Sequence, residues 1–161
     1  MPEGDTLRRL ANRIGGRFAG ERVERSVMRD PRLTGVDLVG TTLVDADAYG
    51  KHLFVRFDDG RTLHAHLRMT GGFEVGQPSR EAEWKRRVEL WFDTGRLTGV
   101  DVPILGILPT GAEHEITDRL GPDLCDPTGP PDVGDVVGRL TTDPEVPLTE
   151  ALLDQTKVAG F

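Results

Sequence analysis

Apolar residues in the first part of the chain recur at two different spacings. A helix is predicted from about Asp5 to Ile14, ending at the Gly15-Gly16 pair. Its apolar positions recur every three or four residues, at Leu7, Leu10, Ala11 and Ile14. After this helix the spacing changes to the short, alternating runs that are typical of strands.

The strand-like runs are separated by turn sequences. They cover residues 23–29, 41–49, 51–57, 62–69, 84–93 and 97–102. Asp58-Asp59-Gly60 and Asp93-Thr94-Gly95-Arg96 have the composition of hairpin turns. Short antiparallel strands at this spacing indicate a sandwich or barrel. The predicted fold is therefore mainly β with flanking helices (α+β), an N-terminal helix plus an antiparallel two-layer β-sandwich.

The composition changes after Leu108. Residues 113–120, 133–140 and 147–158 have helical patterns, and a proline-rich stretch from Asp126 to Pro131 has the composition of a linker. We predict a β-sandwich domain at 1–124, a linker at 125–132 and the start of a helical domain at 133–161. A helix followed by Gly160 needs something to pack against, so the chain is interpreted as ending within a domain.

Charge is distributed unevenly along the 161 residues. The net charge is −7, but residues 112–150 carry ten acids and two bases, and the remainder carries 17 acids and 18 bases. Overall acidity argues against a nucleic-acid partner, whereas the near-neutral, arginine-rich N-terminal part permits phosphate binding. The single cysteine, Cys125, excludes an internal disulfide and a cysteine-rich zinc site. Without an apolar span or leader sequence, a cytoplasmic monomer is expected.

The first residues carry the candidate chemistry. Removal of Met1 would give Pro2 a free amine, whose pKa of about 7.7–8.0 leaves part of it uncharged at neutral pH. Such an amine can attack an electrophilic carbon and form an iminium, and the neighbouring Glu3 can move protons. The positive end of the predicted helix disfavours the ammonium form. A plain helix lead-in explains the same residues, so the pattern alone leaves both interpretations open.

Four stretches together resemble the formamidopyrimidine-DNA glycosylase / endonuclease VIII family of DNA repair enzymes, most like its second actinobacterial endonuclease VIII branch. They are MPEGDT at the start, YGKHLFVRF at 49–57, HAHLRMTGG at 64–72, and LGPDL at 120–124 with LLDQTKVAG at 152–160. The resemblance implies a bacterial, nucleoid-associated glycosylase with AP lyase activity on oxidised bases, including oxidised pyrimidines. Pro2 would attack the sugar of a flipped nucleotide, Glu3 would protonate the sugar ring oxygen, and β/δ-elimination would cut the strand.

The resemblance also implies roles for residues beyond the N-terminus. Lys51 would contact a backbone phosphate near the lesion, and Met69 would fill the gap left by the flipped base, with Arg68 beside it. His66 would organise this loop or contact phosphate. His64 and His66 point the same way along a strand, but two ligands without a third make a poor metal site, so no metal is predicted in this chain.

The chain departs from the family pattern in two ways. Many members place an arginine and a phenylalanine in a second loop that holds the orphan base, and residues 102–106 contain neither. The helical domain, with its helix–two-turn–helix motif, is expected to continue past Gly160 into a finger, with or without zinc, that this chain lacks. Damaged DNA, double- or single-stranded, is therefore expected to bind weakly to this chain alone.

Two alternatives remain open at this point. The chain could be a catalytically inert fragment that folds as a sandwich and binds only DNA or a protein. It could also be an N-terminal-proline enzyme of the tautomerase kind, although that family is shorter and follows its proline with a strand.

Overall fold

In a computed structural model, which describes residues 4–161, the first element is helix α1, Gly4–Phe18. The predicted end at Gly15-Gly16 is wrong, since the helix continues through both glycines. Phe18, which follows them in the last turn, is fully buried. Burial of this ring stabilises the end of the helix and outweighs the weak helix propensity of glycine.

Two antiparallel four-stranded sheets follow. Their orders are β1-β6-β7-β5 and β2-β3-β4-β8. The strands are β1 Arg25–Met28, β2 Leu43–Tyr49, β3 His52–Phe57, β4 Arg61–His66, β5 Gly72–Gly76, β6 Arg86–Phe92, β7 Gly95–Val100 and β8 Ile104–Pro109. The predicted two-layer sandwich is confirmed, including the hairpin turns between β3 and β4 and between β6 and β7. Strands β5 and β8 were not predicted.

One apolar core lies between the two sheets and α1. Side chains alternate along the strands, so that Leu53 and Val55 of β3 face Leu90 and Leu97 of the other sheet within the same cluster. The rings of Phe18 and Phe92 stack with centroids 4.4 Å apart, which joins the end of α1 to this core. Helix α1 packs mainly on β2 and also touches β3 and β5, so its first turn is held at one edge of the sandwich.

Three short helices complete the chain: α2 His114–Thr117, α3 Val133–Leu140 and α4 Leu148–Leu153. Helix α4 is shorter than the predicted 147–158, because Asp154 turns the backbone by accepting the amide hydrogen of Thr156 at 2.9 Å. The chain then returns to the sandwich, where Ala159 pairs in parallel with Asp123. The division at 125–132 stays a prediction.

The helices between residues 4 and 161 are all too short or too polar to cross a membrane.

Candidate active site

Distant stretches of sequence meet at the first turn of α1. The backbone N–H of Gly4 donates to the carbonyl oxygen of Gly160 at 3.1 Å. A Cβ on Gly4 would lie 2.5 Å from the Cα of Gly160, so only glycine fits there. Pro2 and Glu3, the predicted nucleophile and proton carrier, lie outside the described residues. Gly4, which follows them, is nonetheless the first residue of α1, and its hydrogen bond to Gly160 fixes its position.

Asp123 joins the parts of this edge. Its buried carboxylate accepts hydrogen bonds from the backbone nitrogens of Gly50, at 3.1 Å, and Cys125, at 2.9 Å. The Nη2 atom of Arg8, on α1, lies 3.4 Å from the same carboxylate. Because Asp123 is only 4% exposed, these charge-assisted contacts stabilise it in place of water. One side chain thus connects α1, the turn after β2 and the segment after α2.

Neighbouring contacts fix the end of β2. Arg8 also pairs with Asp47 and donates to the carbonyl oxygen of Ala48. The Tyr49 hydroxyl donates to the carbonyl oxygen of Gly121 at 3.0 Å, and burial raises the pKa of Tyr49. The side-chain oxygen of Gln155 accepts the Gly160 N–H at 3.1 Å. The YGK, LGPDL and QTKVAG stretches therefore form one hydrogen-bonded unit with α1.

Lys51 lies in the turn between β2 and β3, as the sequence predicts. Gly50 before it has φ +56°, a left-handed conformation that glycine adopts without a steric penalty. Lys51 is only 8% exposed, which excludes an ordinary solvated turn lysine. Its charge contributes to lowering the pKa of His66, after burial and Arg68, so the two cations and this imidazole share one end of the sheet.

The loop after β4 carries the other predicted DNA contacts. The Nδ1 atom of His66 accepts the backbone N–H of Arg68 at 3.2 Å, which fits the predicted loop-organising role. Met69 is 71% exposed, so it is not core filler. Its neighbour Leu67 is buried and anchors the loop. The roles of Arg68 and Met69 on DNA stay predictions.

A third histidine, His52, joins His64 and His66 on the outer face of β3 and β4. Sequence inspection missed it, although strand pairing places His52 opposite His66. Nδ1 of His52 and Nε2 of His64 lie 2.9 Å apart, and the His66 ring meets the His52 ring edge-on at 4.7 Å. Burial, followed by the charges of the neighbouring histidines, lowers the pKa of His52 to about 3. Burial and His66 lower the pKa of His64 to about 4, although Glu113 opposes this.

Within residues 4–161, no three histidine, cysteine or carboxylate side chains are arranged to hold a metal ion. The contacts that the structure shows in the histidine cluster are the hydrogen bond between His52 and His64 and the packing of the rings.

Acid is expected to destabilise the fold through this cluster. In the unfolded chain the histidines have a pKa of about 6.5 and bind protons below that pH, whereas the buried histidines stay neutral. Their contribution to the free energy of unfolding is therefore fully present above pH 6.5 and decreases as the pH falls toward 4. Each titrating histidine contributes up to about 1.4 kcal/mol per pH unit. Denaturant unfolding between pH 7 and 5, where few carboxylates titrate, measures this slope.

The matched variants for this measurement are His64→Gln and His114→Gln. The first removes one cluster member and should flatten the slope, whereas His114 is exposed outside the cluster and its replacement should leave the slope unchanged. Equal slopes in all three proteins would contradict the assignment.

A cavity of about 420 Å³ lies between α1 and the loop after β4. Thr6, Arg9 and Arg13 of the helix form one wall, and Leu67 and Phe73 form the other. The cavity therefore lies on the side of the loop that faces α1, the helix whose first turn follows Pro2.

Comparison with known proteins identifies the fold. Residues 1–106 match the family model of the formamidopyrimidine-DNA glycosylase N-terminal domain. The chain belongs to this family. Among its relatives, the probable endonuclease 8 2 of Streptomyces coelicolor is 40% identical over all of this chain and 59% of its own length. The DNA-(apurinic or apyrimidinic site) lyase Nei2 of Mycolicibacterium smegmatis is 36% identical over 99% of this chain and 62% of its own length.

Solved structures of the family agree with this assignment. A Lactococcus lactis Fpg in complex with DNA containing an abasic site aligns with a TM-score of 0.78 and 25% identity, covering 100% of this chain and 62% of its own. The chain spans about 60% of the length of the relatives it matches. Family membership thus covers the sandwich that carries α1, Lys51 and the loop after β4.

Proposed function

We propose that this chain is the nucleophile-bearing part of a DNA glycosylase with AP lyase activity, acting on oxidised bases. The supporting observation is the junction at Gly4, where the family's separate sequence stretches meet beside the predicted nucleophile. A terminal amine needs accurate placement, because a displacement of about 1 Å can cost about a hundredfold in rate. The junction fixes the residue that follows Pro2 and Glu3.

The proposed reaction begins with attack of the Pro2 nitrogen on C1′ of the damaged nucleotide. The bond between C1′ and the base breaks, and the base leaves with a proton. Glu3 protonates the ring oxygen, so that the sugar opens and an iminium joins Pro2 to C1′. Loss of a proton from C2′ then expels the 3′ phosphate, and a second elimination expels the 5′ phosphate. Water finally releases the amine from the remaining fragment.

DNA contacts are proposed for the cationic end of the second sheet. Lys51, His66 and Arg68 lie near one another there and would contact phosphates on either side of the flipped nucleotide. Met69, exposed at the loop tip, would enter the space left in the base stack. The proposed partner is damaged DNA, double- or single-stranded.

Borohydride trapping on DNA with an abasic site tests this function. The protein with Met1 removed should give a covalent adduct, because reduction fixes the iminium. The same protein with an N-terminal tag, in which the Pro2 nitrogen is part of a peptide bond, should give none. A C-terminally tagged protein is the matched control and should still react. An untagged protein that binds abasic DNA without forming an adduct would favour the alternative, an inert binding module.

A further inference from the structure

The loop after β4 begins with a backbone conformation that needs support. Arg68 has φ 49°, in the left-handed region that glycine adopts freely and arginine adopts rarely. Such a conformation persists only where the surrounding structure imposes it. The Arg68 N–H donates to Nδ1 of His66 at 3.2 Å, and the Gly71 N–H donates to the carbonyl oxygen of Leu67 at 2.9 Å. The His66 side chain is thus a support that the loop receives from the sheet.

The hydrogen bond to Arg68 also determines which nitrogen of His66 carries the proton. A ring nitrogen that accepts an N–H has no proton of its own, so the neutral His66 ring carries its proton on Nε2. A half turn of the ring about the Cβ–Cγ bond would place a carbon against the Arg68 N–H and break this hydrogen bond. The loop and the Nε2–H donor that His66 offers to a ligand therefore depend on one ring orientation.

His52 is the neighbour that can restrict this orientation. It lies opposite His66 on β3, and its ring stands at 87° to the His66 ring with the centroids 4.7 Å apart. Rings at this distance and angle are in edge-to-face contact, so the His66 ring cannot turn unless His52 moves. Ile104, opposite His66 on β8, has only an aliphatic side chain and cannot hydrogen-bond to the ring.

His64 in turn holds His52. Nδ1 of His52 and Nε2 of His64 lie 2.9 Å apart, and the two rings are within 13° of parallel. Burial lowers the pKa of His52 to about 3 and that of His64 to about 4, so both rings are neutral at pH 7 and one nitrogen donates to the other. The His64 ring also stacks on the buried Phe54, with the centroids 5.2 Å apart. Contacts between rings thus run from Phe54 to His66.

We propose that His52 and His64 are positioning residues, which hold the His66 ring with Nδ1 on the Arg68 N–H and so fix the loop that carries Met69. The inference deepens the proposed function and rests on it wherever DNA is concerned. Neither His52 nor His64 has to touch DNA for this role. Loss of the hydrogen bond between them should loosen the loop and leave α1 in place, so binding should weaken and the chemical step on bound DNA should not change.

Two amide substitutions at His64 test the hydrogen bond. Nε2 of histidine is three bonds from Cβ, as is the terminal nitrogen of glutamine, whereas the terminal nitrogen of asparagine is two bonds away. His64→Gln therefore keeps the hydrogen bond to His52 and His64→Asn loses it, although both variants remove the ring. Affinity for duplex DNA with a tetrahydrofuran abasic analogue should fall about threefold to tenfold in His64→Asn, as for one lost hydrogen bond, and less than about twofold in His64→Gln. Adduct formation at saturating DNA should be equal in the two variants.

Hydrogen exchange of the Arg68 amide measures the loop without DNA. This amide should exchange about threefold to tenfold faster in His64→Asn than in the unaltered protein, and His64→Gln should keep the original rate within about twofold. The ring ¹⁵N chemical shifts of the unaltered protein should place the His66 proton on Nε2, a test that holds even if His64→Asn does not fold. His114→Asn is the control, because His114 is exposed outside the cluster and its replacement should change none of these values.

Two results would overturn the proposal: equal exchange and equal affinity in the two His64 variants, or a His66 proton on Nδ1. The positioning role and the proposed function can fail separately. If exchange differs as expected but no adduct forms, only the DNA chemistry is removed. If an adduct forms but the Arg68 amide exchanges alike in both variants, only the positioning role is removed.

Discussion

Gly4→Ala is expected to lower adduct formation about a hundredfold, because the added methyl group would displace the helix start from the end of the chain. Its Cβ would lie 2.5 Å from the Cα and 2.6 Å from the carbonyl oxygen of Gly160. These are backbone atoms that cannot rotate away, so the contact must open at a cost of about 1–3 kcal/mol. Trapping rate and urea unfolding of the same samples measure the two effects.

Gly16→Ala is the matched control, since it makes the same substitution in the same helix. No other atom lies within 4 Å of a Cβ at Gly16, and the position is exposed. This variant should gain about 0.5–1 kcal/mol from better helix propensity and react at the unaltered rate. If Gly4→Ala also gains stability and trapping is unchanged, the junction at Gly160 does not position the nucleophile.

Asp123→Asn is expected to destabilise the protein by about 3 kcal/mol, because a buried charge pair loses one partner. The carboxylate accepts from three groups, and the amide of asparagine would place an N–H against one of these donors. The turn carrying Lys51 loses its anchor at Gly50 in the same step. Adduct formation should therefore fall more than the change in folded fraction explains.

Asp118→Asn provides the comparison. Asp118 is exposed at the end of α2, and its side chain makes no hydrogen bond or ion pair within the part of the chain that the structure describes. Its replacement should change the free energy of unfolding by less than about 0.5 kcal/mol. A similarly small effect at Asp123 would show that the carboxylate is not what connects α1 to the turn.

The sequence predicted the sandwich and most of its strands because hairpin turns and alternating apolar residues are local signals. It missed β5 and β8 because glycines bound the first and prolines flank or end the second, and both residues normally interrupt strands. Hydrogen bonding of β5 to β7 and of β8 to β4 stabilises these two strands despite their weak local strand propensity. Tertiary packing likewise explains why α1 continues through two glycines.

The site was predictable in its residue types but not in its assembly. Resemblance pointed to Lys51 and the loop after β4, and the structure gives Lys51 a buried position. Asp123 and Gly160 appeared only as letters of a motif, since no spacing rule indicates that residues so far apart in sequence touch. His52 was missed for a related reason, because its partners lie on the adjacent strand. Contacts between strands depend on the register of strand pairing, and that register is set by the packing of the whole fold and not by any local sequence pattern.

The hydrogen bond between Gly4 and Gly160 has a consequence for biosynthesis. It joins residues near the first codon to residues some 160 codons later, so loop closure over nearly the entire chain must precede it. During translation the sandwich can form before the first turn of α1 gains this contact, because Gly160 has not left the ribosome. If the proposed function holds, a nascent polypeptide should not form the trapped adduct until synthesis has passed Gly160.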